Sequence, residues 1–377
     1  MNRSIWMAVA LLLAGNACAR EEEAPMKKTC MESTLAGSWY DADPGRLRTE
    51  LEGYLAAARV EPDPAIFAVV VPHAGYAYSG PCAAVGLQAL AARKDLERVV
   101  VIGFSHRVHL PNRASLPATE THYRSPLGET PLDVAAIAAL MKNPLFVDRA
   151  DTRRGENSVE LQLPLLQVAL AGRDWKLVPV TLGQLDDGVR DQVAAALGEL
   201  LDGKTALVVS SDFTHYGPNF GYVPFRTDVE ANLRQLDGGA IAKIVAGDAD
   251  GFAAYCEKTG ATICGQDSIG VLLRMLPEKF TAREIAYDTS GRGTGDWRNS
   301  VSYASIGFYG SGRPARKAAA PAAAQQAAEL TAEDKKALLG LARETISRAL
   351  KGEKPSDPEE LGVKPTPAMQ RKMGGFV

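Results

Sequence analysis

Most of the usual signatures of function are missing from this chain of 377 residues. There is no HExxH pair, no Walker loop and no set of paired cysteines at zinc-finger spacing, which sets aside the common zinc-protease, nucleotide-phosphate and structural-zinc readings. Charge of one sign is also scarce. The formal net charge is −3, so the chain has no general electrostatic attraction to nucleic acid or to an anionic membrane. Gly291, Gly293 and Gly295 make a glycine-rich turn, but no helical pattern follows them, so a dinucleotide site is not expected there. Histidine and cysteine are both sparse, with five of each. Apolar residues at 46% and charged residues at 23% are the balance of an ordinary globular protein, and the length allows one large domain with additions.

The first residues read as an export signal. Arg3 supplies the positive charge, Ile5 to Ala14 a short apolar core, and Ala17-Cys18-Ala19 a small-residue cleavage site. That core is too short to span a bilayer. The expectation is a signal peptide over 1–19, an exported tail over 20–32 and a periplasmic protein. The alternative is lipid attachment at Cys18, the one route by which this chain would meet a membrane. Gly15 stands where a lipobox normally has Leu, which favours plain cleavage. Export leaves Cys30, Cys82, Cys256 and Cys264, and four cysteines in an oxidising compartment allow three connectivities.

The few histidines that are present are placed informatively. Ala68-Val-Val-Val-Pro-His73 is a short β-branched apolar run that stops at Pro72 and delivers His73 into a glycine-punctuated turn. Arg98-Val-Val-Val-Ile-Gly-Phe-Ser-His106 repeats the pattern, and Ala206-Leu-Val-Val-Ser-Ser-Asp-Phe-Thr-His215 repeats it again with Asp212. Ligands of open α/β sheets bind beyond the carboxyl ends of the strands, so these three ends are expected to share one cleft.

Between these runs the chain alternates strands and helices. Asp43 and Pro44 start a helix whose Leu47, Leu51, Tyr54 and Leu55 face a core. Pro81 to Arg93 reads as the next helix. Residues 107–131, with His109 and His122, read as a long polar loop. Further helices are expected over 132–141, 158–169, 187–201, 228–246, 248–257 and 269–276. Strands are expected over 175–182, 205–211, 281–287 and 301–309. The fold class is therefore α/β, a sandwich around a largely parallel or mixed central sheet, over residues 33–310. Residues 311–329 have the Ala/Pro-rich composition of a linker. Residues 330–377 begin with an amphipathic helix capped at Thr331 and read as the truncated start of a second domain.

Six segments together resemble one family. They are Leu35-Ala-Gly-Ser-Trp-Tyr-Asp-Ala-Asp-Pro44, Pro72-His-Ala-Gly-Tyr-Ala-Tyr-Ser-Gly80, Gly103-Phe-Ser-His106, Glu156-Asn-Ser-Val-Glu-Leu-Gln-Leu-Pro164, Ser210-Ser-Asp-Phe-Thr-His-Tyr-Gly217 and Cys264-Gly265. This conjunction resembles the Memo family, whose bacterial members are called AmmeMemoRadiSam system protein B. The 331–350 helix and Gly374-Gly-Phe-Val377 resemble the opening of an AMMECR-type domain.

The resemblance implies a fold similar to class III extradiol dioxygenases of the LigB type. It implies an iron or copper ion held by His73, His106 and Cys264, with Asp212, His215 and Glu160 as candidate catalytic groups in the same cleft. One departure is Asn157, where the family often has histidine. Three readings follow: a metal-dependent oxidoreductase acting on a small or aromatic substrate, a non-catalytic module that binds metal or a peptide, and a nucleophilic enzyme using Cys264 with His215. AMMECR-type and radical-SAM proteins are partners implied by the family alone.

Overall fold

In the computed structural model, the described residues are 27–312 and 331–351. The expected signal peptide, residues 20–26 of the exported tail, residues 313–329 of the linker, and the chain after residue 351 lie outside them.

In chain order the elements begin with β1 (Cys30–Glu32), α1 (Pro44–Ala57), β2 (Ile66–Val71), α2 (Tyr76–Leu90) and β3 (Arg98–Phe104). Next come the short strands β4 (Ala114–Ser115), β5 (His122–Ser125) and β6 (Gly128–Pro131), then α3 (Val134–Leu140) and β7 (Phe146–Val147). Helices α4 (Asn157–Glu160) and α5 (Gln162–Ala169) lead to β8 (Lys176–Leu182), α6 (Asp187–Gly198) and β9 (Thr205–Ser210). Strand β10 (His215–Tyr216) precedes α7 (Val229–Val245), α8 (Ala249–Thr259) and α9 (Gln266–Met275). Strand β11 (Phe280–Thr289), α10 (Ser290–Thr294) and β12 (Ser300–Gly310) close the domain, and α11 (Ala332–Leu350) stands apart in sequence.

The central sheet is mixed, in the order β10-β12-β2-β9-β3-β8-β4-β7, with β11 also paired to β12. Strands β2, β9, β3 and β8 run parallel; β12 is antiparallel to its neighbours, and β4 is antiparallel to β8 but parallel to β7. Every residue of β2 and β9 is buried, as continuous apolar runs in a sheet covered on both faces require. The core joins both sheet faces to the inward stripes of the helices; Leu47, Leu51 and Leu55 of α1 belong to it.

The expected fold class therefore describes the molecule, with three local corrections. Residues 107–131 are not a structureless loop: β5 and β6 form a hairpin, and β1 adds to it in parallel as a second small sheet. The expected helix over 158–169 is divided at Leu161, whose backbone stays helical, because Pro164 has no N–H to donate to the Glu160 carbonyl. Helix α2 starts at Tyr76 rather than Pro81, so Pro81 sits inside its second turn.

Candidate metal centre

The order β2-β9-β3 puts three parallel strand ends side by side. Proline has no N–H to continue a ladder, so Pro72 ends β2 and His73 follows, 1% exposed. His73 N–H donates to Asp212 Oδ1 at 2.7 Å, which ties the turn after β2 to the turn after β9. Its ring is held from behind, with Nδ1 2.8 Å from Ser210 Oγ. His106 leaves β3 in the same sense. Its N–H donates to Glu156 Oε2 at 2.8 Å, and its Nδ1 lies 2.8 Å from Glu156 Oε1. The two imidazoles meet edge to face, with centroids 5.2 Å apart and planes at 80°.

Cys264 reaches the same place from the turn before α9. Gly265 caps that helix, and a Cβ there would lie 2.5 Å from Ser211 Cβ, so only glycine lets the turn pack against the end of β9. The sulfur accepts the Asp212 N–H at 3.2 Å and sits 3.1 Å from His73 Nε2. One donor atom from each of His73, His106 and Cys264 falls within 4.8 Å of the others.

Electrostatics couples these groups. Burial pushes the Cys264 thiol up, but the His73 charge and hydrogen bonds from His106 and His73 outweigh it and bring the thiol down to about 6. Burial likewise opposes a charge on His106, yet hydrogen bonds to Cys264 and Glu156 overcome it and carry the imidazole up to about 10. The metal-free site is thus a thiolate with imidazolium character beside it. Glu156 is held below the ordinary carboxylate range despite its burial, because His106 bonds to it. Burial dominates at Asp212 and raises its carboxyl, with His215 as the strongest opposing influence.

The remaining sequence candidates divide. Asp212 is buried in the cleft and directly braces His73. His215 Nδ1 faces two carbonyl oxygens, Phe213 O at 3.0 Å and Thr262 O at 3.1 Å, so Nδ1 carries the proton and Nε2 is left as the free ring nitrogen. Glu160 is engaged elsewhere. Its carboxylate accepts Thr34 N–H (2.9 Å), Thr34 Oγ1–H (3.0 Å), Leu35 N–H (2.8 Å) and Tyr40 Oη–H (2.8 Å), which fastens the 34–40 segment to α4. Those donors occupy the acceptor positions that proton transfer would need. Asn157 donates Nδ2–H to the His73 carbonyl at 3.1 Å, a brace on the backbone of a cluster residue. His109 is exposed, and His122 pairs with Thr121 at 2.9 Å in the small sheet, away from the cluster.

Two residues that contact the histidine rings, Glu156 and Ser210, were not singled out from sequence. Glu156 stands at the head of a quoted motif, and its spacing from the β3 strand end gives no sign that they meet. Gln162, two residues beyond Glu160, donates to Ser210 Oγ at 3.0 Å.

Comparison with known proteins follows the same residues. Residues 31–307 match the family described as Memo-like protein. Protein MEMO1 of Danio rerio is 32% identical over 293 residues, covering 74% of this chain and 97% of that protein. Protein MEMO1 of Homo sapiens is 31% identical over 291 residues, covering 73% and 96%. The MEMO1 family protein of Thermococcus onnurineus (strain NA1) is 30% identical over 285 residues, covering 73% and 97%.

Proposed function

The chain belongs to the Memo family, and from that premise we propose that it is an exported protein that holds iron or copper at His73, His106 and Cys264 for an oxidoreductase reaction related to that of the extradiol dioxygenases. One observation carries this reading: three donor atoms within 4.8 Å, brought from separate parts of the chain, with both imidazole Nδ1 atoms anchored outward. The donor set fits the group. Imidazole suits both metals, and a thiol lowered to about 6 supplies the soft anionic ligand that Cu(I) and ferrous iron accept. Three protein ligands leave positions open.

The ion would supply Lewis acidity and electron exchange. The protein supplies the rest. His215, with its Nδ1 proton fixed by two carbonyls, offers Nε2 as a base. Asp212 braces His73 through its backbone, and burial raises its carboxyl above the ordinary aspartate range. Facial-triad oxygenases use a carboxylate where this chain has Cys264. That sulfur favours a second reading, a module that holds metal without turnover.

Anaerobic purification followed by metal analysis tests the core of the reading: stoichiometric iron or copper, lost on His73→Ala, supports it, and a metal-free wild type that cannot be reloaded overturns it. Oxygen uptake with a panel of catechols, wild type against His106→Ala, then separates turnover from holding.

A further inference from the structure

Each histidine of the cluster is backed by a different kind of group, and this difference assigns a role. We infer that Glu156 is the positioning residue of the site: it locks His106 into the tautomer that presents Nε2 to the cluster, whereas His73 is left adaptable. This inference rests on the metal-site reading above.

Glu156 is 3% exposed and grips one residue at two points. Its Oε2 accepts the His106 backbone N–H, and its Oε1 faces Nδ1, both at 2.8 Å. A third N–H, from Ser158, donates to Oε1 at 3.0 Å. A carboxylate surrounded by N–H groups only accepts, so Nδ1 keeps its proton and Nε2 is the nitrogen that gives up its own to ligate an ion. His73 is held otherwise. Its Nδ1 faces the hydroxyl of Ser210, which can donate or accept, and Gln162 Nε2 already donates to that oxygen at 3.0 Å. No charge fixes the His73 tautomer from behind.

The scaffold keeps Glu156 in place. A Cβ at Gly103 would lie 2.4 Å from Ser158 Oγ, so the glycine lets α4 seat directly on the end of β3. Ser158 Oγ then bridges Phe104, accepting its N–H at 3.1 Å and donating to its carbonyl at 2.8 Å. Capping α4 explains the Ser158 bond but neither bond to His106. A carboxylate behind a ligating histidine fixes the ring and raises its basicity, and losing such a partner costs metal affinity.

Zn²⁺ affinity by chelator competition and the Co²⁺ absorption spectrum, each on the full chain, form the test. Glutamine has one carbonyl oxygen to serve three N–H groups, so Glu156→Gln weakens Zn²⁺ binding by about 10- to 100-fold and alters the Co²⁺ bands. Ser210→Ala loses less, because a neutral partner is removed. Equal Zn²⁺ affinity in wild type and Glu156→Gln, or a larger loss in Ser210→Ala, overturns the role of Glu156. If Glu156→Gln does not fold by circular dichroism, nitrogen-15 NMR of wild-type histidines decides: a proton on His106 Nδ1 is expected with and without Zn²⁺, and an unprotonated Nδ1 refutes the inference. A wild type that binds neither ion sinks the metal reading itself, a result distinct from wild-type binding that Glu156→Gln matches.

Discussion

Cys264 differs from Cys82 and Cys256 through its neighbours. Cys82 and Cys256 are buried and Cys264 is half-buried; burial pushes the Cys256 thiol up to about 12, and that of Cys82 to about 12 despite its hydrogen bond with Ser305. Only Cys264 has two imidazoles and a backbone N–H aimed at its sulfur, and it falls to about 6. The thiolate is the reactive form. In metal-free protein, iodoacetamide is therefore expected to label Cys264 at pH 7 and to stop doing so as pH falls through about 6, where the sulfur regains its proton. Cys82 and Cys256 stay unlabelled until the chain unfolds, and bound metal protects Cys264. Peptide mapping of the labelled sites checks this; equal labelling of all three refutes it. His73→Ala should remove both a ligand and the charge lowering that thiol, so it loses metal and shifts the labelling midpoint upward. At this scale the sequence was legible where chemistry sits at a strand end. His73, His106 and Asp212 announce themselves because an apolar run must stop before them. Cys264 follows no strand and is reached only through the family motif, while Glu156 is indistinguishable from any acidic helix cap until its partner is known.

Helix α4 is four residues long and holds three functions on its two ends, so its faces had to be read from contacts rather than from periodicity. Glu160 illustrates the difficulty. A buried acid beside a cleft motif suggests acid–base chemistry, yet its partners are Thr34, Leu35 and Tyr40. Glu160→Ala would leave the Leu35 N–H and the Tyr40 hydroxyl buried without an acceptor and release the Thr34 donors, at about 3 kcal/mol in total after partial relaxation. Chemical denaturation should show that loss, with Zn²⁺ affinity changed far less than by His73→Ala; an unchanged midpoint would return Glu160 to the catalytic candidates. Gly103→Ala acts on the same helix from the strand side. The added Cβ meets Ser158 Oγ at 2.4 Å and Val159 Cγ2 at 2.8 Å, so α4 must shift, at a cost of about 1–3 kcal/mol and with loss of the Glu156 contact to His106. The long strands β2, β3 and β9 were legible as β-branched runs. The β1-β5-β6 sheet was not, since its strands are three or four residues long and partly polar, and such segments pair only because a neighbour supplies the edge.

Convergence of the cluster is a property of the whole sheet. Strand β9 is inserted between β2 and β3, although about a hundred residues of chain separate it from β3, and this insertion makes Ser210 and Asp212 neighbours of His73. Local sequence identifies each strand but carries no information about lateral order, so a shared cleft could be expected from topology rules while the contacts within it could not. The same sheet holds the cysteines apart: Cys30, Cys82, Cys256 and Cys264 are all free thiols, with Cys82 and Cys256 buried in helices. An exported Memo-family protein would meet an oxidising compartment, where a disulfide at Cys264 would abolish its use as a ligand. Among the described residues no bridge joins these cysteines. Full-length chain expressed in a Gram-negative host is therefore expected in the periplasmic fraction, beginning after Ala19, with four free thiols on non-reducing mass analysis and metal at one equivalent. A chain recovered from the cytoplasm with its first residues intact refutes the export proposal and leaves the site unaffected. An exported chain with Cys264 oxidised would instead remove the ligand on which the metal reading depends.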